Sequence, residues 1–197
     1  MGDGEVIMGL TLISTSTASS SASLAITSGI DDSYKAYEFH FYNLHPEDDF
    51  SVFTWQVNDY AQPIQTTMMR AHTLDSASHD TSMGYHSSFD QHIGETSTGN
   101  SNQDGDDRFA ALAFYIGADD ATDSLSGVMT LYDPASTVYN KHFKSRISIN
   151  SSQSSGDYLH LQISSGYVNL TSAVTGIKFQ YDSGDIDSGV IKMFGVS

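Results

Sequence analysis

The sequence predicts an all-β fold, an antiparallel two-sheet β-sandwich of jelly-roll type, and three observations predict it. Apolar and polar side chains alternate along short segments from one end of the 197-residue chain to the other. Clusters of Gly, Asp, Ser and Pro separate those segments as turns would. No window sustains a helical period over three turns. A chain of this length suits one domain with a sizeable core, so residues 1–9 read as an N-terminal arm and 10–197 as a single sandwich.

The elements follow in order. Residues 10–15 and 21–27 read as strands, and the Thr/Ser/Ala tract ahead of Leu24, Ala25 and Ile26 resembles an opening β-hairpin, with Gly29, Ile30 and Asp31 turning the chain onward. Next comes an aromatic strand in which Tyr37, Phe39 and Phe41 share one face while Glu38, His40 and Tyr42 share the other. Phe53, Trp55 and Val57 repeat that alternation, so these six apolar residues form the expected core. Truncating Trp55 in such a place costs roughly 3–5 kcal/mol. Further strands are expected over 64–74, 108–116, 125–132, 138–149, 158–163, 176–181 and 190–196. In the last, Val190, Lys192, Phe194 and Val196 alternate against Ile191 and Met193, and apolar groups on both faces place it centrally or against a neighbouring subunit.

Residues 75–107 differ, because their second half is polar and nearly free of large apolar side chains. They read as one long exposed excursion, either a binding loop or a solvated variable one. His79, His86 and His92 lie in it and would have to gather on a metal or on the three-fold axis of an oligomer to act together. Asp104, Asp106 and Asp107 resemble part of a calcium loop, yet no acidic residue closes the twelve-residue pattern, so a calcium site and a solvated acidic loop both remain open.

Composition excludes several kinds of chemistry. With 24 acidic against 8 basic side chains, a formal net charge of −16, the chain offers no clustered cations for a phosphate backbone and nucleic acid is not an expected partner. It has no cysteine, hence no disulfide or thiolate site. No apolar run is long enough to insert in a bilayer, and the first residues lack the basic and apolar regions of a signal peptide, so synthesis in a cytoplasm is expected. The eight histidines are scattered, and His40 and His160, on strands whose other face is apolar, read as surface imidazoles. No carboxylate pair is marked out for glycoside hydrolysis, no Gly-x-Ser-x-Gly elbow occurs, and there is no Walker-type loop. The expectation is a protein without catalytic residues or a cofactor.

Several blocks taken together resemble a known family. They are the tract from Leu12 through Thr15, Ala18 and Ser21 to Leu24, the run Gly29-Ile30-Asp31-Asp32-Ser33-Tyr34, the run Asn43-Leu44-His45-Pro46-Glu47-Asp48-Asp49, the centre from Leu125 to Pro134 with Tyr139 to Phe143, and the ending from Ser183 to Val196. In that order they look like a family of virion structural proteins of marine tailed bacteriophages, over nearly the whole chain and most weakly over 75–107. The resemblance implies a non-enzymatic virion component, made in the host cytoplasm and occurring alone or as a module of tail-fibre-like proteins. Compactness, the absence of a shaft and the lack of chemistry favour a capsid decoration or cement protein, expected as a homotrimer contacting other virion proteins, the major capsid protein or tail proteins. The alternatives are a tail-associated adaptor or receptor-binding module that recognises a host surface glycan, and a glycan hydrolase carried on the tail.

Overall fold

In the computed structural model, residues 9–75, 81–85, 89–93, 109–153 and 156–197 are described. Their strands are β1 (Leu10–Ser21), β2 (Leu24–Ile26), β3 (Ala36–Pro46), β4 (Ser51–Val57), β5 (Ile64–Asp75), β6 (Thr81–Tyr85), β7 (Gln91–Ile93), β8 (Ala110–Ile116), β9 (Ser124–Tyr132), β10 (Lys141–Gln153), β11 (Gly156–Val168), β12 (Ile177–Tyr181) and β13 (Ile186–Val196). They form two antiparallel sheets, one of nine strands in the order β1-β13-β3-β9-β10-β11-β5-β6 with β7 also on β5, the other of four in the order β2-β12-β4-β8. The sandwich is therefore unequal, and the small sheet covers only part of the large one.

The period-two pattern puts the expected core where it belongs. Tyr37, Phe39 and Phe41 of β3 and Phe53, Trp55 and Val57 of β4 are all buried. Phe179 of β12 ties the sheets together, with its ring centroid 5.5 Å from Phe39, 5.2 Å from Phe41 and 5.9 Å from Phe53. Trp55 meets Phe143 of β10 edge to face at 4.8 Å. Such ring pairs add specific geometry to the area they bury. Gly127 of β9 is required by close approach, since a Cβ there would lie 2.3 Å from the Arg146 carbonyl oxygen.

Two expectations change. The opening segments are not a hairpin: β1 pairs with β13 in the large sheet and β2 with β12 in the small one, so Ala22 and Ser23 carry the chain between sheets. A two-residue hairpin wants Gly or Asn at positive φ, which Ala22-Ser23 does not supply. Nor is 75–107 wholly a loop. β6 and β7 both pair with β5, and Phe89 and Ile93 are buried, because these apolar side chains find cover at the sheet flank. Residues 94–108 lie outside the description.

The free edge of β8 is closed by side chains from the large sheet. Gln162 of β11 accepts the Phe114 N–H through Oε1 at 2.9 Å and donates from Nε2 to the Phe114 carbonyl at 2.8 Å, imitating a ladder rung. Gln91 Oε1 accepts the Ala111 N–H at 2.7 Å. Both glutamines are buried, where an unpaired backbone group would be costly.

Trp55→Ala is expected to lower the unfolding free energy by about 3–5 kcal/mol in urea titrations. Gln162→Leu, which strips two backbone partners while keeping the volume, is expected to lower it by about 2 kcal/mol; a neutral Gln162→Leu would show that β8 does not need this rung.

Candidate functional site

β11 carries its side chains the opposite way from a simple sandwich strand. Along it Tyr158, His160, Gln162 and Ser164 turn toward the small sheet, whereas Leu159, Leu161 and Ile163 turn away from it. His160 is 4% exposed and Gln162 0%, while Leu159 is 53% and Ile163 45% exposed. His160 is thus a buried imidazole rather than the surface one expected from sequence, because strand parity follows Gln162, which must reach β8. Ser164 is buried too and bonds Ser145 across the strands at 2.6 Å.

Register extends the outward apolar groups into rows. Leu161 lies beside Ala71 of β5, which lies beside Met83 of β6; Ile163 lies beside Met69, which lies beside Tyr85. Met69, Met83 and Tyr85 are 52%, 80% and 58% exposed. Toward β9 a groove of about 510 Å³ runs between Val128, Arg146, Ser148, Leu159 and Leu161. Lys144, with its ammonium 5.6 Å from the Tyr132 ring centroid, stands near Arg146 on the same face of β10. Over β11, β5 and β6 the outer face of the large sheet is therefore an apolar band, bordered by Lys144 and Arg146 on one side, by Asp75 and Asp157 at one end and by Asp90 at the Tyr85 hydroxyl.

A second cluster lies on the inner face, on the ledge where β11, β5 and β6 extend past β8. The Arg70 guanidinium lies 5.1 Å from the Tyr115 ring centroid and 5.5 Å from that of Phe89. His160 stacks against Tyr158 at 5.5 Å and Tyr115 at 6.2 Å, with His72 at 5.8 Å. Among the described residues neither ring nitrogen of His160 finds a hydrogen-bond partner, and nor does Arg70 Nε. Tyr115 has φ of 65° in a strand whose pairing with β4 shifts register, the local irregularity that bulges introduce to aim a side chain. Burial foremost, then Arg70 and His72, push the His160 pKa down to about 4, so it is neutral at pH 7.

Other buried polar groups serve as ties. Lys141, held below its ordinary pKa by burial, donates to the Tyr139 carbonyl at 2.6 Å and the Leu170 carbonyl at 3.0 Å. The buried Asp123 carboxylate accepts the Ser152 N–H at 2.8 Å. His40, partly buried on the outer face, pairs with Glu38 at 2.8 Å. Of the residues the sequence singled out in its long excursion, His79, His86, Asp104, Asp106 and Asp107 lie outside the described residues. His92 stands in β7 opposite Gln65, its side chain likewise outside the description. Among the described residues no group of three His, Asp or Glu side chains is placed to hold a metal ion.

Sequence reasoning missed Arg70, Tyr115 and the outer apolar rows. The alternation in 158–163 was there to read, but not which side of it faces inward. Comparison with protein-family models, with curated proteins and with solved structures finds no match.

The unfolded chain protonates the His160 imidazole near its ordinary 6.5, whereas the folded chain resists until about 4. Stability from this group is therefore complete above pH 6.5 and falls as pH drops toward 4, by up to about 3 kcal/mol. Urea titrations across that range are expected to show the loss in the parent and a flatter profile in His160→Gln; parallel profiles would contradict it.

Proposed function

We propose that this chain is a non-enzymatic structural protein of a tailed-phage particle, a capsid decoration protein that works by docking. The observation that carries the reading is the orientation of β11, with histidine, glutamine and serine inside and leucine and isoleucine outside. Apolar side chains held in water by a rigid sheet gain free energy when a second surface covers them, at roughly 25 cal/mol per Å². Large contiguous apolar patches on folded domains mark interaction surfaces.

Charge supports the same reading. Copies of a chain with net charge −16 repel one another in most orientations. The outer band is a place where contact brings apolar rows together beside Lys144 and Arg146, with Asp75 and Asp157 confined to one end of the rows and Asp90 held by the Tyr85 hydroxyl. It suits a homotrimer whose copies meet through the band, with the assembled trimer seated on the major capsid protein. The family resemblance supports the coarser part of this reading, a virion structural protein, from other residues.

A second reading, a tail-associated receptor-binding module, draws on the inner-face ledge. An arginine between aromatic rings that has no ion-pair partner among the described residues, beside a buried histidine with no hydrogen-bond partner among them, is a recognition feature that decoration alone does not need.

Two measurements separate the readings. Sedimentation is expected to give a trimer at micromolar concentration, and the double substitution Met69→Asp with Ile163→Asp is expected to yield a folded monomer with unchanged circular dichroism. Quantitative mass spectrometry of purified particles is expected to count on the order of hundreds of copies, as symmetric reuse of one chain over a capsid requires. A parent protein that stays monomeric would overturn the docking band, and a count of a few tens or fewer would favour the tail.

A further inference from the structure

We propose that the inner-face ledge beside β8 is a binding site for a carboxylate-bearing sugar, held by the Arg70 guanidinium and walled by Tyr115 and Tyr158. This goes beyond the docking role and lies on the opposite face of the large sheet, so either can fail without the other.

Arginine pairing is the first ground. Acidic side chains outnumber basic ones 24 to 8, yet among the described residues Arg70 forms no ion pair. Its contacts are instead with the Phe89 and Tyr115 rings. The Phe89 and Tyr115 rings stand at 70° to each other, so at most one of them lies flat on the guanidinium, and Nε is buried; the terminal Nη groups are the fork that matches a carboxylate as two parallel hydrogen bonds.

The second ground is the unsatisfied polarity behind the arginine. His160 is 4% exposed, and neither ring nitrogen has a partner. As a neutral imidazole it offers one donor and one acceptor, both closed off from bulk solvent, so a bridging water rather than a direct sugar hydroxyl completes the pairing. Being neutral, it leaves Arg70 without an ion-pair partner among the described residues. The groups facing it are Arg70 and His72 from β5, Tyr158 from β11 and Tyr115 from β8, none of them a carboxylate.

Room and shape are the third ground. Gly84 of β6 is the register partner of Arg70, and a Cβ placed on it would meet nothing within 4 Å. Ser82, the partner of His72, is exposed. Among the described residues the ledge is thus open beside Gly84, in front of the arginine. Tyr115, held at positive φ, and Tyr158 give it aromatic walls suited to the C–H face of a pyranose ring. A carboxylate answers the arginine fork and a ring answers the walls, which together describe a uronic acid rather than phosphate or a neutral hexose.

The test is an NMR titration of the full chain with sodium glucuronate, following the Arg70 Nε and His160 ring signals. Acetate, phosphate and glucose are added in parallel at matched ionic strength. Glucuronate is expected to shift both signals saturably, acetate more weakly, and glucose not at all. Arg70→Gln is expected to weaken glucuronate at least about tenfold, the scale of a lost charged hydrogen bond. Should Arg70→Gln fail to fold, Gly84→Leu, which fills open space without touching the core, is expected to block the same shift. Absence of a saturable glucuronate response, an equal response to phosphate or glucose, or undiminished binding in Gly84→Leu would each overturn the proposal.

Discussion

Phe179 packs against Phe39, Phe41 and Phe53 at the centre of the molecule, and this contact between a four-stranded and a nine-stranded sheet governs the rest. It fixes where the small sheet sits on the large one. Because the small sheet is narrow, its last strand, β8, ends partway across, and the inner side of β11 meets a strand edge rather than a row of side chains. A strand edge is a line of N–H and C=O groups, so the side chains that face it must be polar. Gln162 and Gln91 meet that demand.

Strand parity then carries the consequence to the opposite surface. With Gln162 committed inward, Leu161 and Ile163 have no choice but to project outward. The apolar band on the outer face is thus tied to the closure of β8, and a core requirement has left apolar side chains on the exterior. The same closure leaves the ledge of Arg70, His72 and His160 beyond β8 lined by polar groups instead of being filled with hydrocarbon.

Much of this was legible in the sequence, and the remainder was not for identifiable reasons. Alternation placed β3 and β4 and their six core residues, because each strand has one face that is plainly apolar and buried between sheets. The same rule located β11 but would orient it wrongly, since period two says that faces differ and not which one meets the interior. β6 and β7 were hidden in a segment whose polar second half dominates its composition, although Met83, Tyr85, Phe89 and Ile93 carry the strand signal. The ledge depends on residues from 70 to 160 brought together by topology alone, which no local pattern encodes. Tyr115 in particular acquires its aim from a register shift opposite β4.

Electrostatics fits the same division of labour. Carboxylates dominate the chain, and three of its eight cations stand on the two faces at issue, Lys144 and Arg146 beside the outer rows and Arg70 on the ledge. Buried charges such as Lys141 are spent on backbone carbonyls and add rigidity rather than reactivity. The most direct test of a sandwich whose outward leucines are its attachment face is an electron cryo-microscopy map of the intact particle. Density for this chain is expected with Leu159, Ile163, Met69 and Met83 turned onto neighbouring protein; a map in which that face looks out into solvent, or in which the chain is missing, would contradict it.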